Sequence, residues 1–254
     1  ESSFKESIVL GERKSHSRMY LGIIEYIRGN YCLAERHIKT ELLVDSDYFF
    51  CTILEKLIKE KSRVENIKKQ EICKGSRSSI VFPIVGSRPV EPGLMDALYE
   101  LETIDLVNNQ RRNSRGNART STFRFFEENQ ILCNNLETDL TILAEQELGG
   151  KVYIKDSWFT ILRDGGCVRK HKHLTEMNRI RGFEIAEHQF ALVYYLEVGD
   201  QSCSQPGLLR FYEPDKDLLP FNGMVTIFPA NRPHSVDYNG SKDRVMIAIN
   251  FWSI

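Results

Sequence analysis

The sequence lacks a long apolar run, and it lacks an excess of charge of either sign. Its longest uninterrupted apolar stretch runs only from Phe190 to Leu196, whereas a membrane-spanning helix needs ~20 apolar residues. Lys and Arg number 34 against 35 Asp and Glu, which gives a net charge of −1. Nucleic-acid-binding proteins usually carry a basic field. The sequence therefore predicts neither a membrane partner nor a nucleic-acid partner.

Clustered cysteines are also missing. The six cysteines are scattered along the chain and form no C-x-x-C pair. A chain of 254 residues does not need disulfides in order to fold, and this usage is typical of a reducing compartment. We therefore expect a cytoplasmic protein. The sequence begins at Glu1 and not at Met, so we also expect it to be a fragment of a longer chain.

The first part of the chain has the period of helices. Apolar residues recur there at three- and four-residue spacings, which is typical of helices that bury one face. The three stripes are Tyr20, Ile23, Ile24 and Ile27; Tyr31, Ala34, Ile38 and Leu42; and Phe50, Ile53, Leu54, Leu57 and Ile58.

A turn separates the first two stripes. The string from Gly29 to Ala34 resembles the turn and second-helix start of a tetratricopeptide repeat, where Gly permits a tight turn. The alternative is a plain helical hairpin. We expect residues 1–74 to form a helical, tetratricopeptide-like segment with a linker, and this segment is the candidate surface for a protein partner.

From Ser78 onward the pattern of apolar residues changes, and after residue 150 the helical period disappears. Short β-branched and aromatic runs, separated by Gly, Pro, Asn and Asp, predict an antiparallel sandwich or barrel of at least five strands. The fold class is therefore α+β, with helices first and a jelly-roll-like core at about 150–254 inside a domain of residues 75–254. The runs are 152–162, 190–198, 208–212, 224–228 and 244–252.

Three histidines and one arginine occupy suggestive places. In His171-Lys172-His173 the two imidazoles are two residues apart, so both point to the same side of an extended chain and can face one metal ion. His234 follows 61 positions after His173, and Arg244 comes ten residues later, at the start of the last apolar run. The period of two places Asn250 on the same strand face as Arg244.

The order of these elements resembles the double-stranded β-helix core of the Fe(II)- and 2-oxoglutarate-dependent oxygenases. The resemblance covers roughly residues 150–254, and it rests on the order and spacing of several elements together. Those elements are His171-x-His173, Ala191-Leu192-Val193-Tyr194-Tyr195-Leu196, Gly207 to Tyr212, Gly223 to Pro229, His234, and Arg244 to Phe251.

The resemblance implies a set of cofactors and roles. Fe(II) would be held by His171, His173 and His234, and 2-oxoglutarate and O2 would take the open positions on the metal. Arg244 would bind the distal carboxylate of 2-oxoglutarate, because a guanidinium forms two parallel hydrogen bonds with a carboxylate. Tyr195 would donate a hydrogen bond to the same co-substrate.

The sequence departs from the usual motif of the family at position 173. Most members have a carboxylate there, and this chain is similar to the branch with His-x-His. Two readings stay open: His173 is the second ligand, or it supports the site while Glu176 or a water completes the ligand set. A neutral imidazole leaves the Fe(II) site one charge more positive, which favours an anionic co-substrate.

Two further residues are candidates for substrate binding. Asn250 is expected to orient the substrate. Arg119 belongs to the segment from Leu106 to Phe126, which carries five arginines and no acidic residue. This segment is a candidate lid over an anionic ligand. The alternative is a solvated surface loop.

The function expected from the sequence is an Fe(II)- and 2-oxoglutarate-dependent dioxygenase that hydroxylates an unidentified substrate, with a peptide or protein side chain as the expected class. Two alternatives stay open. One is a non-catalytic interaction module. The other is a cupin-type dioxygenase that has three His ligands and does not use 2-oxoglutarate.

Overall fold

The computed structural model describes residues 16–44, 49–68, 82–101, 104–105, 117–173 and 184–254. It divides into two compact units, one of residues 1–79, 177–184 and 254, and one of residues 80–176 and 185–253. The predicted boundary between residues 74 and 75 lies outside the described residues. Among the described helices, none is long and apolar enough to cross a membrane.

The first unit contains three helices, which are α1 (Ser17–Ile27), α2 (Tyr31–Leu42) and α3 (Phe49–Lys68). The helices were predicted, but the buried face of α1 was predicted only in part: Ile23 belongs to the predicted stripe, whereas Met19 and Tyr26 do not. Met19, Ile23 and Tyr26 are buried there, whereas Ile27 is 41% exposed. Because α1 is apolar on several sides, its periodicity alone does not select the face that packs.

A glycine sets how closely α1 and α2 approach. A Cβ added to Gly22 would lie 2.6 Å from Cδ1 of Ile38, so a larger residue would require the Ile38 side chain to move. Gly29, in the turn between the two helices, has a positive φ of 79°, which glycine adopts without strain. The two helices pack against each other as a helical hairpin. Their likeness to a tetratricopeptide repeat stays a prediction.

The second unit is built on two antiparallel sheets. The larger sheet has the strand order β1-β9-β6-β11-β4-β3-β2, and the smaller has the order β5-β10-β7-β8. The strands are β1 (Ile84–Ser87), β2 (Ile104–Asp105), β3 (Ala118–Thr120), β4 (Val152–Leu162), β5 (Gly166–His171), β6 (Gln189–Glu197), β7 (Leu209–Phe211), β8 (Lys216–Leu218), β9 (Met224–Pro229), β10 (His234–Tyr238) and β11 (Arg244–Ser253).

Each face of the larger sheet packs on a different layer. Three helices, α4 (Leu94–Glu100), α5 (Phe125–Glu128) and α6 (Gln130–Leu148), share one apolar core with its outer face. The inner face shares a second core with the smaller sheet. The predicted mixture of helices and antiparallel sheet is therefore confirmed. The last strands form a two-sheet sandwich with helices on one side.

The described end of the candidate lid differs from the prediction. Residues 106–116 lie outside the described residues, but Ala118–Thr120 form β3 and pair with β4, and Phe125–Glu128 form a helical turn. Phe125 and Phe126 are buried in the core between the helices and the larger sheet. This end of the segment is thus part of the folded unit, because its apolar side chains are needed in the core.

Candidate metal centre

The three predicted histidines meet at one end of the sandwich. His171 is the last residue of β5, and His234 is the first residue of β10, directly opposite it in the strand pairing. One potential ligand atom from each of His171, His173 and His234 lies within 4.8 Å of the other two. The structure therefore brings together the three side chains that the sequence predicted to lie close to one another.

A β-bulge aims His171 into the sandwich. Val236 pairs with Val168 and His234 pairs with His171, so two steps along β10 correspond to three steps along β5. Without this additional residue the strand alternation would place Val168 and His171 on opposite faces. Bulges of this kind redirect side chains beside functional sites.

Backbone carbonyls orient two of the imidazoles. Nδ1 of His171 lies 2.8 Å from the carbonyl oxygen of Arg169, and Nδ1 of His234 lies 3.0 Å from that of Arg232. Since a carbonyl oxygen only accepts, Nδ1 carries the proton and donates in both rings. This tautomer leaves each Nε2 with a lone pair for a metal ion.

His173 is held differently, because it lies beyond the end of β5. Its N–H donates to the carbonyl oxygen of Ala230 at 2.8 Å, and its own carbonyl oxygen accepts from Nε2 of Gln189 at 2.9 Å. The ring stacks on Trp158 with centroids 6.0 Å apart. Its Nε2 lies 3.2 Å from Nε2 of His234, so both nitrogens can share one ion.

The protonation state of His234 suits a ligand. Burial lowers the pKa of its imidazole to about 4, and the neighbouring His171 lowers it further in the same direction. A neutral imidazole is the form that binds a metal. Three imidazole nitrogens suit Fe(II), Ni(II), Cu(II) or Zn(II) better than Mg2+ or Ca2+, which prefer oxygen ligands. Glu176, the alternative ligand, lies outside the described residues.

A cavity that is partly open to solvent adjoins the three histidines. Its wall is mostly apolar. The polar side chains that line it, apart from the histidines, are Trp158, Thr160 and Tyr195. Met246 and Ala248 line it from β11, so the inner face of β11 forms part of the wall.

Arg244 lies on that same face of β11, with its guanidinium entirely buried at 0% exposure. Within the described part of the chain, none of its three guanidinium nitrogens makes a hydrogen bond of normal geometry, and neither does the hydroxyl of Tyr195, although the two groups are close enough to shift each other's pKa. The guanidinium carbon lies 5.1 Å from the centroid of the Tyr195 ring. Burial raises the pKa of Tyr195 to about 12, although the charge of Arg244 opposes the shift, so the hydroxyl keeps its proton and can donate.

These unpartnered donors fit a carboxylate. A buried cation without a counter-charge is costly, and burial lowers the pKa of Arg244. An anion beside Arg244 and Tyr195 would satisfy both groups. Arg244 does not pair with its sequence neighbour Asp243, because Asp243 pairs with Arg163 at 3.1 Å.

Gly207 gives the guanidinium its space. A Cβ at this position would lie 2.5 Å from Nη1 of Arg244, and the residue has a positive φ of 77°. Both the backbone conformation and the close approach therefore require glycine. The sequence showed Gly207 only as the start of a strand motif.

The two candidate substrate residues lie away from the cavity wall. Asn250 is half-buried and donates from Nδ2 to Oδ2 of Asp156 at 3.2 Å. Arg119 is exposed on β3, opposite Ile161. Neither is among the residues that line the cavity. Their roles in substrate binding stay predictions.

Sequence reasoning missed the residues that hold the histidines in place. Gln189 contacts the backbone of His173, and Arg232 donates from its side chain to the carbonyl oxygens of Phe82 and Pro214, both at 3.0 Å. Such contacts join distant parts of the chain to backbone atoms. No local pattern of residue types predicts such contacts.

Comparison with known proteins gives likeness in structure only. No protein-family profile and no curated protein matches this sequence. The fold is similar to that of HygX from Streptomyces hygroscopicus. In its solved structure with nickel, 2-oxoglutarate and hygromycin B, the identity is 11%, the match covers 68% of this chain and 84% of HygX, and the TM-score is 0.51.

A second HygX structure, with nickel and 2-oxoglutarate bound, gives 12% identity over the same shares of the two chains and a TM-score of 0.50. A Pseudomonas putida prolyl-4-hydroxylase gives 18% identity, covers 68% of this chain and 94% of its own, and has a TM-score of 0.46. The fold that the resemblance predicted is thus shared with HygX, whose solved structure holds nickel and 2-oxoglutarate, and the three predicted histidines lie together in this chain.

Proposed function

We propose that this protein is an Fe(II)- and 2-oxoglutarate-dependent oxygenase. The observation that carries the proposal is Arg244, whose guanidinium is entirely buried and makes no hydrogen bond of normal geometry within the described residues. Arg244 does not itself line the cavity beside the three histidines, but it lies on the same face of β11 as Met246 and Ala248 and beside the ring of Tyr195, all of which do. A metal site alone does not explain a buried cation, whereas a dicarboxylate that also reaches the metal does.

Each residue has a distinct task in this proposal. His171, His173 and His234 would hold Fe(II) through their Nε2 atoms, and Arg244 and Tyr195 would bind the distal carboxylate of 2-oxoglutarate. When bound, Fe(II) and 2-oxoglutarate supply the activation of O2, and the keto acid is converted to succinate and CO2. The apolar wall excludes water from the reacting centre, which strengthens the electrostatic interactions within it.

A second candidate function follows from the ligand set. Because His173 stands where most of the family has a carboxylate, the site also fits a cupin-type dioxygenase with three His ligands and no keto acid. In that case Arg244 would bind an anionic group of the substrate instead. The two candidates differ in whether 2-oxoglutarate binds.

An anaerobic titration separates these functions. We expect the Fe(II)-loaded protein to develop a weak visible charge-transfer band when 2-oxoglutarate is added, and the metal-free protein to show none. Binding of Fe(II) without binding of 2-oxoglutarate would favour the second candidate. Binding of neither would favour the non-catalytic module.

The substrate class in this proposal is the one expected from the sequence, a peptide or protein side chain. HygX, with hygromycin B bound in its structure, gives a reason to include small molecules in the search. Succinate release measured against libraries of peptides and of small molecules tests the two classes side by side.

A further inference from the structure

Gln189 lies beside His173 and has no part in the function proposed above. It is the first residue of β6, and its side chain is almost completely buried. Its Nε2 donates to the carbonyl oxygen of His173 at 2.9 Å. This partner fixes the orientation of the amide, because a carbonyl oxygen can only accept.

Three hydrogen bonds join Gln189, His173 and Ala230 in a closed ring. The N–H of His173 donates to the carbonyl oxygen of Ala230 at 2.8 Å, and the N–H of Ala230 donates to that of Gln189 at 2.9 Å. The Gln189 side chain completes the ring at His173. His173 lies outside any strand. This ring of hydrogen bonds therefore holds its backbone in place, as strand pairing holds the backbones of His171 and His234.

The other end of the Gln189 amide shows that stability alone does not explain this residue. Its Oε1 is buried and has no hydrogen-bond partner in the part of the chain that the structure describes. A buried acceptor without a donor destabilises a folded protein. The side chain of Gln189 therefore contributes through a single hydrogen bond, which it donates to the carbonyl oxygen of His173.

We propose that Gln189 is a positioning residue for the metal centre, which holds the backbone of His173 so that the imidazole stays directed at the ion. This inference rests on the proposed function, because it requires the three histidines to bind a metal. Partners that orient metal ligands typically change metal affinity about 10–100-fold when they are removed.

The test compares Gln189→Met with Gln201→Met in the full chain. Gln201 makes the same type of bond, from Nε2 to the carbonyl oxygen of Pro220 at 2.7 Å, but it contacts no candidate ligand. We expect Gln189→Met to weaken Co(II) binding about 10–100-fold in calorimetry and Gln201→Met to leave it unchanged. Thermal unfolding of the metal-free proteins shows whether both variants are folded.

A double-mutant cycle distinguishes positioning from a general loss of structure. In a His173→Ala background, whose weakened Co(II) binding is measured at a large excess of Co(II), Gln189→Met should cause no further loss of affinity, since its effect acts through the missing ring. An equal loss in both backgrounds, or no loss in the wild-type background, overturns the inference. If Gln189→Met does not fold, Gln189→Leu replaces it, because its apolar side chain cannot donate to the carbonyl oxygen of His173.

The failure of this inference is distinguishable from that of the proposed function. A wild-type protein that does not bind Co(II) or Fe(II) overturns both. If the wild-type protein binds metal and Gln189→Met binds it equally tightly, only the role of Gln189 is overturned.

Discussion

The charge of a single side chain, Arg244, connects the fold to the proposed chemistry. Most of the arginines that the structure describes lie at the surface or pair with an acidic group, as Arg210 does with Asp217. Arg244 instead is buried beside a tyrosine hydroxyl. At the scale of residues, the proposed function therefore makes its sharpest predictions about this group and its neighbours.

Replacing Arg244 by alanine should weaken 2-oxoglutarate binding and leave metal binding nearly unchanged. Loss of one partner of a buried, hydrogen-bonded charge pair costs about 2–5 kcal/mol, or roughly 30- to several-thousand-fold in affinity. Arg244→Lys should fall between, because it keeps the charge but loses the two parallel bonds. The measurement is a 2-oxoglutarate titration of the Fe(II)-loaded proteins. Equal affinity in Arg244→Ala and wild type would place the co-substrate elsewhere.

Gly207→Ala should weaken 2-oxoglutarate binding, because the new methyl group would displace the guanidinium of Arg244. The substitution changes none of the residues proposed to bind the metal or the co-substrate. We expect a loss of about tenfold or more, equivalent to ~1.4 kcal/mol. Gly149→Ala is the matched control: its φ is also positive, at 71°, but its Cβ would contact nothing within 4 Å. The same change of affinity in both variants would show that backbone strain, and not the contact, is responsible.

His234→Ala should remove metal binding while the protein stays folded, since an open site loses one of three protein ligands. His173→Asp should retain the metal, because it restores the carboxylate that most of the family has at this position. Metal content after dialysis, with circular dichroism as the test of folding, checks both variants. An unchanged metal content in His234→Ala would refute the ligand assignment.

At the scale of elements, one buried arginine joins three parts of the second unit. Arg88 follows β1, forms an ion pair with Asp139 of α6 at 2.9 Å, and donates to the hydroxyl of Tyr194 in β6 at 3.4 Å. It also pairs with Glu91. The larger sheet and the helix on its outer face are thus linked by polar contacts as well as by the apolar core.

Arg88→Met should lower the free energy of unfolding by about 1–3 kcal/mol, because it removes hydrogen bonds of a buried charge. Arg210→Met serves as the control. Its two hydrogen bonds to Asp217, both 2.9 Å long, are exposed, and such pairs contribute about 0–1 kcal/mol. Urea unfolding measures both variants. Equal costs would mean that the Arg88 contacts contribute no more than a surface pair does.

At the scale of the whole molecule, the predictable parts are those that the chain encodes locally. The alternation in β11 placed Arg244 on the inner face, and the apolar runs located β4, β6, β9 and β11. The bulge in β5 and the ring at His173 were not predictable, since both depend on partners distant in sequence. The buried face of α1 was predicted only in part for the same reason, because the approach of α2 at Gly22 selects it.

The position of β11 has a further consequence. This strand is hydrogen-bonded on both sides, to β4 and to β6, whereas β5 lies at the edge of the smaller sheet and His173 lies beyond its end. Amides inside a sheet exchange with deuterium only when the sheet opens, and amides at its frayed ends exchange through small local openings.

In the metal-free protein we therefore expect slow exchange along β11 and faster exchange at residues 171–173, and added metal should slow exchange only at the latter. Uniform protection of both segments before metal is added would contradict this. The strand of Arg244 is thus ordered by folding itself, and in the proposed function a bound metal ion would add to the order that the ring of hydrogen bonds gives His173.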